Sequence, residues 1–138
     1  RYTALLDGTL DRPREGTIDL PLSADFIDRP RQRVDMKEGK RAVTRYEIVE
    51  HCGGRTLVHL YPETGRTHQL RVHCAHEDGL GCPITGDRLY GHAGRRLCLR
   101  ATSISFAHPS TGKTMTFCLD EDFAEETAQG TDNGVPRR

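Results

Sequence analysis

The pattern that most restricts this chain lies in residues 42–61. Thr44, Tyr46 and Ile48 alternate with Arg45 and Glu47, a period of two that fits a half-buried strand and not a helix. Cys52-Gly53-Gly54-Arg55 follows, with glycines able to take the positive φ that tight hairpin turns require. Residues 56–61 return as the partner strand, and Pro62, which has no amide hydrogen to give a ladder, ends it. Other elements gather around this hairpin. Tyr2-Thr3-Ala4-Leu5-Leu6 reads as an opening strand, and Thr17-Ile18-Asp19-Leu20 as a short one inside a turn-rich stretch. After the loop Glu63-Thr64-Gly65-Arg66, Thr67 is the expected helix N-cap, and residues 68–76 suit a short helix with Leu70 and Cys74 on one face. Residues 97–106 and 113–119 then read as two strands, Met115, Phe117 and Leu119 alternating in the second. The expected fold class is α+β, a mixed, mostly antiparallel sheet with one short central helix.

Composition narrows the function classes. The 138 residues suffice for about one domain, and no run approaches the ~18 apolar residues of a membrane helix. There is no glycine period, heptad seam or internal repeat. Five cysteines, an odd number without a CxxC pair, point to reduced thiols in a cytoplasmic protein. Net charge is zero but unevenly spread: residues 1–119 hold 18 basic and 14 acidic groups, seven of the bases within residues 29–45. The remaining 19 residues carry six acids against two arginines. A mildly basic body permits a polyanionic partner without requiring one.

The densest chemistry lies in Gly65-Arg66-Thr67-His68-Gln69-Leu70-Arg71-Val72-His73, two arginines, two histidines and an amide directly after a strand. Guanidinium groups there suit a phosphate, although a solvated basic helix end fits the spacing equally well. Arg71, one turn past Thr67, is placed to reach inward to a carboxylate. His73, Cys74, His76 and Cys82 lack the paired arms that bring four ligands around zinc, so no metal is expected. No Walker loop, GxGxxG or GxSxG occurs. Motifs alone lead to a basic α+β domain with an RNA or phosphate ligand.

The same run, followed by Cys82-Pro83-Ile84-Thr85-Gly86-Asp87-Arg88-Leu89-Tyr90-Gly91, closely resembles the RluA-type pseudouridine synthases, whose hallmarks are G-R-S/T-H-Q-L/I-R-V-H and G-H-P-I/V-x-G-D-x-x-Y-G. Arg1-Tyr2-Thr3-Ala4 is similar to the family's basic-x-Tyr-x-Ala strand, and Phe106-Ala107-His108-Pro109 with Met115-Thr116-Phe117 to its closing hairpin. Ile18-Asp19-Leu20-Pro21-Leu22 and residues 28–34 resemble the branch acting on both large-subunit ribosomal RNA and transfer RNA.

The resemblance covers about residues 1–123 and implies part of the pseudouridine synthase catalytic domain, with residues 124–138 an acidic, frayed tail. It implies isomerisation of uridine to pseudouridine in RNA, with the target base flipped into a pocket and no metal or cofactor. By motif match, Tyr2 is the active-site tyrosine that packs on the base and is placed to remove the C5 proton. Arg71 matches the basic residue that holds the catalytic aspartate ionised. Arg66, His68 and Gln69 are expected to support the site or contact RNA, as are Arg29, Arg31 and Arg33. Asp87 matches a structural family position.

Three departures stand out. The family's H-R-L-D-x-x-T-S-G aspartate motif is absent from these 138 residues, Arg100 stands where the family usually has His, and Gly79-Leu80-Gly81-Cys82 replaces a shorter approach. The chain is therefore expected to be the C-terminal part of a catalytic domain, inactive alone and prone to self-association. Two rival readings remain. A non-catalytic RNA-binding module would use the bases of residues 29–45 on phosphates, with affinity falling steeply in salt. A small metal-binding or purely structural protein would show its metal on direct analysis.

Overall fold

The computed structural model describes residues 1–107 and 110–118. Its elements are β1 (Tyr2–Asp7), β2 (Glu15–Asp19), β3 (Leu22–Ala24), β4 (Gln32–Val34), β5 (Val43–Cys52), β6 (Arg55–Pro62), α1 (Gln69–Ala75), β7 (Leu99–Ala101), β8 (Ser103–Ala107) and β9 (Thr114–Cys118). Five strands form one sheet in the order β2-β5-β6-β1-β7, with two small sheets, β3-β4 and β8-β9. Every pairing between these strands is antiparallel, so the α+β class stands and the sheet is more uniform than a mixed one.

The hairpin forms where the alternation placed it. Val43, Thr44, Tyr46 and Ile48 are buried along β5 while Arg45 is exposed, and Gly53 and Gly54 both take positive φ, 52° and 83°, in the turn. The register slips between Ile48 and Glu50, a bulge that the alternation did not announce. In β1, Thr3, Ala4, Leu5 and Leu6 are all buried, so both faces of this strand are covered. The segment after the helix runs beside it: Asp7 N–H donates to the Pro83 carbonyl at 2.8 Å, Thr85 N–H to Leu5 at 2.8 Å and Leu5 N–H to Cys98 at 3.1 Å.

Helix α1 packs against β5, β6 and β4. Leu70 and Cys74, four residues apart, enter one core with Leu5, Val58, Leu60 and Ile84. Each such aliphatic side chain contributes about 1.5–3 kcal/mol on burial. A second cluster of Leu22, Ala42 and Val72, joined by Val34 and Tyr90, seats the β3-β4 hairpin on the helix.

Three expectations need correction. The turn-rich stretch contains the β3-β4 hairpin, whose strands of three residues each are too short for periodicity to reveal. Thr67 is not the helix cap: the helix begins at Gln69, with His68 at the cap position in the left-handed region (φ 53°, ψ 19°) and no side-chain cap bond. The strand read over residues 97–106 is two strands, broken at Thr102. That residue is pinned to the chain start, its N–H donating to the Arg1 carbonyl at 2.9 Å and its hydroxyl lying 2.9 Å from that of Thr3. Beyond it the chain leaves β1 and pairs with β9 instead. His108, Pro109, Leu119 and the acidic tail lie outside the described residues. Among the described residues no helix is long and apolar enough to cross a membrane.

Candidate active site

A cleft of about 250 Å³ opens between the start of β1, the end of β6, the loop before the helix and the first turn of α1. It is lined by Tyr2, Thr64, Arg66, His68, Gln69 and Arg71, with Pro62, Gly65, Leu70 and Leu99. Five residues singled out by sequence, Tyr2, Arg66, His68, Gln69 and Arg71, thus meet in one place, although Tyr2 is far from the others along the chain. The sheet does this: Tyr2 is in register with Leu60 on β6 and Ala101 on β7, so the first residue of β1 lies beside the end of the strand that leads into the loop. Its hydroxyl has no hydrogen-bond partner among the described residues.

Gln69 holds the loop. Its side chain is buried at 3% exposure, and its Oε1 accepts the Thr64 hydroxyl at 2.6 Å and the Arg66 N–H at 3.0 Å. Its Nε2 donates to the Val43 carbonyl and to Thr44 Oγ1, both at 2.9 Å. All four hydrogen-bonding positions of the amide are used, which fixes its orientation. Thr44, having accepted from Gln69, donates its proton to His73 Nδ1 at 2.9 Å, and His73 Nε2–H donates to the Leu20 carbonyl at 2.9 Å. Burial lowers the His73 pKa, the Leu20 bond opposing it. With its ring nitrogens committed in this way, His73 is a neutral core histidine. Gln69 is therefore a support for the loop, buried away from solvent.

Arg71 reaches a carboxylate, as its position on the helix predicted, and that carboxylate is Asp87. Arg71 Nε donates to Oδ2 at 2.9 Å and Nη2 to Oδ1 at 2.7 Å. Asp87 is fully buried, and its Oδ1 also accepts the Leu89 and Tyr90 amides at 3.0 and 3.2 Å. Burial alone would raise the Asp87 pKa, but the Arg71 bonds and the two amides outweigh it and hold the carboxyl below the usual range. The hydrogen bonds to Asp87 in turn raise the Arg71 pKa. The guanidinium lies 5.3 Å from the centre of the Tyr90 ring. Arg71 Nη1 makes no hydrogen bond among the described residues. The cleft therefore holds a fixed cation together with the Tyr2 ring, which suits a planar base and an anion together.

His68 sits between these groups, its Nδ1 2.7 Å from the Tyr90 hydroxyl. Burial, then the Arg71 charge, lowers its pKa, and Asp87 opposes them. Arg66 is tied by Nε to the Arg41 carbonyl at 2.8 Å and lines both this cleft and a neighbouring one of about 610 Å³ under the β3-β4 hairpin. The three hairpin arginines stay out of the first cleft. Arg29 lies over the Phe26 ring at 5.3 Å. Arg31 bonds the Leu89 carbonyl at 2.8 Å and Asp28 at 2.7 Å. Arg33, 60% exposed, faces Asp35 at 3.6 Å and lines the second cleft. Asp87 and Tyr90 are the site groups that the motif reading left aside, although both stand in the quoted Gly86-Asp87-Arg88-Leu89-Tyr90-Gly91 stretch. Among the described residues, no three His, Cys, Asp or Glu side chains are grouped to hold a metal ion.

The chain and its fold match one known protein family. The profile of the RNA pseudouridylate synthase family matches residues 1–76. The dual-specificity RNA pseudouridine synthase RluA of Haemophilus influenzae is 44% identical over 128 aligned residues, 88% of this chain and 57% of that protein. Its counterpart in Escherichia coli K12 is 45% identical over 117 residues, 80% of this chain and 52% of that protein. The solved structure of human RNA pseudouridylate synthase domain containing 1 superposes with a TM-score of 0.77 at 27% identity, covering 94% of this chain and 57% of that one. The chain belongs to the RNA pseudouridylate synthase family, and it spans about half the length of the curated relatives it matches.

Proposed function

We propose that this chain supplies the tyrosine–arginine side of a pseudouridine synthase active site acting on uridine in ribosomal and transfer RNA, and that the chain alone is inactive. The observation that carries the reading is the convergence of Tyr2 and Arg71 on one cleft, in a chain belonging to this family. In the proposed reaction the N1–C1′ bond of a flipped-out uridine breaks, the uracil turns, C5 bonds to C1′, the C5 hydrogen leaves as a proton and N1 takes one up. Tyr2 packs on the base and its hydroxyl serves the removal of that proton. Arg71 offers Nη1 to the catalytic aspartate, its other side held by Asp87, and the paired positive charge keeps that aspartate ionised. Arg66 and His68 contact the nucleotide, Gln69 supports the loop, and Arg29, Arg31 and Arg33 contact RNA phosphates. No cofactor takes part, and the enzyme works in the cytoplasm. Residues 1–123 act as one unit of the catalytic domain.

Release of tritium from 5-tritiated uridine in ribosomal and transfer RNA tests this. The 138-residue chain should release none, whereas a protein carrying an H-R-L-D segment ahead of Tyr2 should turn over. In that longer protein Tyr2→Phe should lower turnover by about 10²–10⁴-fold, the range of general acid–base catalysis. Release by the short chain would overturn the assignment of the missing nucleophile.

A further inference from the structure

Tyr90 joins the helix, the β3-β4 hairpin and the segment after the helix at the edge of the cleft. Its hydroxyl accepts the Gln32 N–H at 2.9 Å and lies 2.7 Å from His68 Nδ1. The Gln32 backbone N–H can only donate, so it occupies a lone pair of the phenol, and the single phenolic proton is left for the ring nitrogen. His68 Nδ1 is then the accepting nitrogen, and in a neutral imidazole the proton sits on Nε2. The opposite arrangement, with Nδ1–H donating to Tyr90, leaves the phenolic proton without an acceptor among the described residues.

The surroundings hold both rings in these forms. Burial and the Arg71 charge disfavour the imidazolium, and burial raises the Tyr90 pKa, keeping the phenol protonated. The rings meet edge to face, centroids 5.6 Å apart at 80°. Tyr90 is itself held by its backbone N–H, which donates to Asp87 Oδ1, the carboxylate that also holds Arg71. The His68 backbone takes a left-handed φ of 53°, the only non-glycine residue to do so among those described. Such a conformation costs about 1 kcal/mol and gathers at functional sites. His68 lines the cleft with Tyr2 and Arg71, and its Nε2 has no hydrogen-bond partner among the described residues.

The geometry points to Tyr90 as a positioning residue that fixes His68 as an uncharged Nε2–H donor to an oxygen of the bound nucleotide. This rests on the reading of the cleft as a nucleotide site. An uncharged donor beside Arg71 adds direction without adding a further cation to the two guanidinium groups, Arg66 and Arg71, that line the cleft. The acceptor is a base carbonyl or a phosphate oxygen. Gln32 lies between Arg31 and Arg33, so the same phenol ties the cleft to the arginine-bearing hairpin.

Imidazole nitrogen spectra of the ¹⁵N-labelled chain at neutral pH test the tautomer. His68 should show a pyridine-like Nδ1 and a pyrrole-like Nε2. Tyr90→Phe, which keeps the ring beside Arg71, should mix the two tautomers. The reverse tautomer, or a charged ring, overturns the inference without a variant being needed. Uridine, uridine 5′-monophosphate and a uridine-bearing RNA stem-loop are then titrated, with Arg71 Nε–H as a second reporter. The stem-loop should shift His68 Nε2–H. A shift with uridine alone identifies a base acceptor, and one that needs the monophosphate identifies the phosphate. Tyr90→Phe should weaken stem-loop binding about fivefold, the value of one hydrogen bond. RNA that moves Arg71 but leaves His68 Nε2–H unmoved overturns this inference and spares the proposed function. RNA that moves neither overturns the nucleotide site and the inference with it.

Discussion

Asparagine in place of Asp87 alters one atom and tests the whole Arg71 arrangement. Oδ1 accepts three hydrogen bonds, from Arg71 Nη2 at 2.7 Å, Leu89 N at 3.0 Å and Tyr90 N at 3.2 Å. An amide oxygen in that place keeps all three, but the new NH2 then faces Arg71 Nε, now 2.9 Å from Oδ2, donor against donor. The guanidinium also loses its counter-charge at a site where the two side chains are 18% and 0% exposed. Removing one partner of a buried ion pair costs about 3–5 kcal/mol, and the open side of Arg71 toward the cleft places Asp87→Asn near the lower end, ~3 kcal/mol. For a domain of this size that is a fall of about 10 °C in Tm. Circular dichroism during urea and thermal unfolding at neutral pH measures it. The acid limb gives a second reading. The folded-state pKa of Asp87 is lowered, so its contribution is complete above the ordinary carboxylate pKa and is lost as pH falls through the lowered value. The difference between wild type and Asp87→Asn should therefore shrink as the pH is taken below ~4. A variant within ~0.5 kcal/mol of wild type at neutral pH, the usual effect of a neutral surface change, refutes the argument.

Two further outcomes are expected. Thr44→Val removes the hydroxyl between Gln69 and His73 and leaves a buried N–H and a buried ring nitrogen without partners. Urea unfolding should show a loss of about 2–3 kcal/mol, where a simple shape-conserving change would cost under ~1 kcal/mol. His73 supplies a pH dependence of the opposite origin. Its folded-state pKa is lowered by burial, so the unfolded chain takes up the proton first. Stability should be flat above the ordinary histidine pKa and fall as pH drops from ~6.5, levelling below the folded value. His73→Gln should flatten that limb, and an unchanged slope would assign it to other histidines, His68 among them.

Some of this protein is local in its sequence and some is not. The β5-β6 hairpin was legible because alternation and two consecutive glycines each act over a few residues. The helix was legible in Leu70 and Cys74, whose spacing matches one helical turn. The cap was misplaced because Gln69 closes the Arg66 loop with its own side chain, so the chain enters the helix through a left-handed His68, a conformation uncommon outside glycine. Residues 97–106 read as one strand because no glycine or proline interrupts them. Only the bonds of Thr102 to Arg1 and Thr3, across the whole length of the domain, decide where the pairing changes partner.

The candidate site divides in the same way. The motif run around Arg71 marked residues that line the cleft, and the helix spacing marked Arg71 as inward-reaching. The partner at Asp87, the phenol that directs His68 and the approach of Tyr2 to the loop were decided by the sheet and by the segment that runs back along β1. Residue types and short-range periods are properties of the chain. The pairing of a charge with its counter-charge depends on distances between separated segments, and only tertiary packing sets those distances.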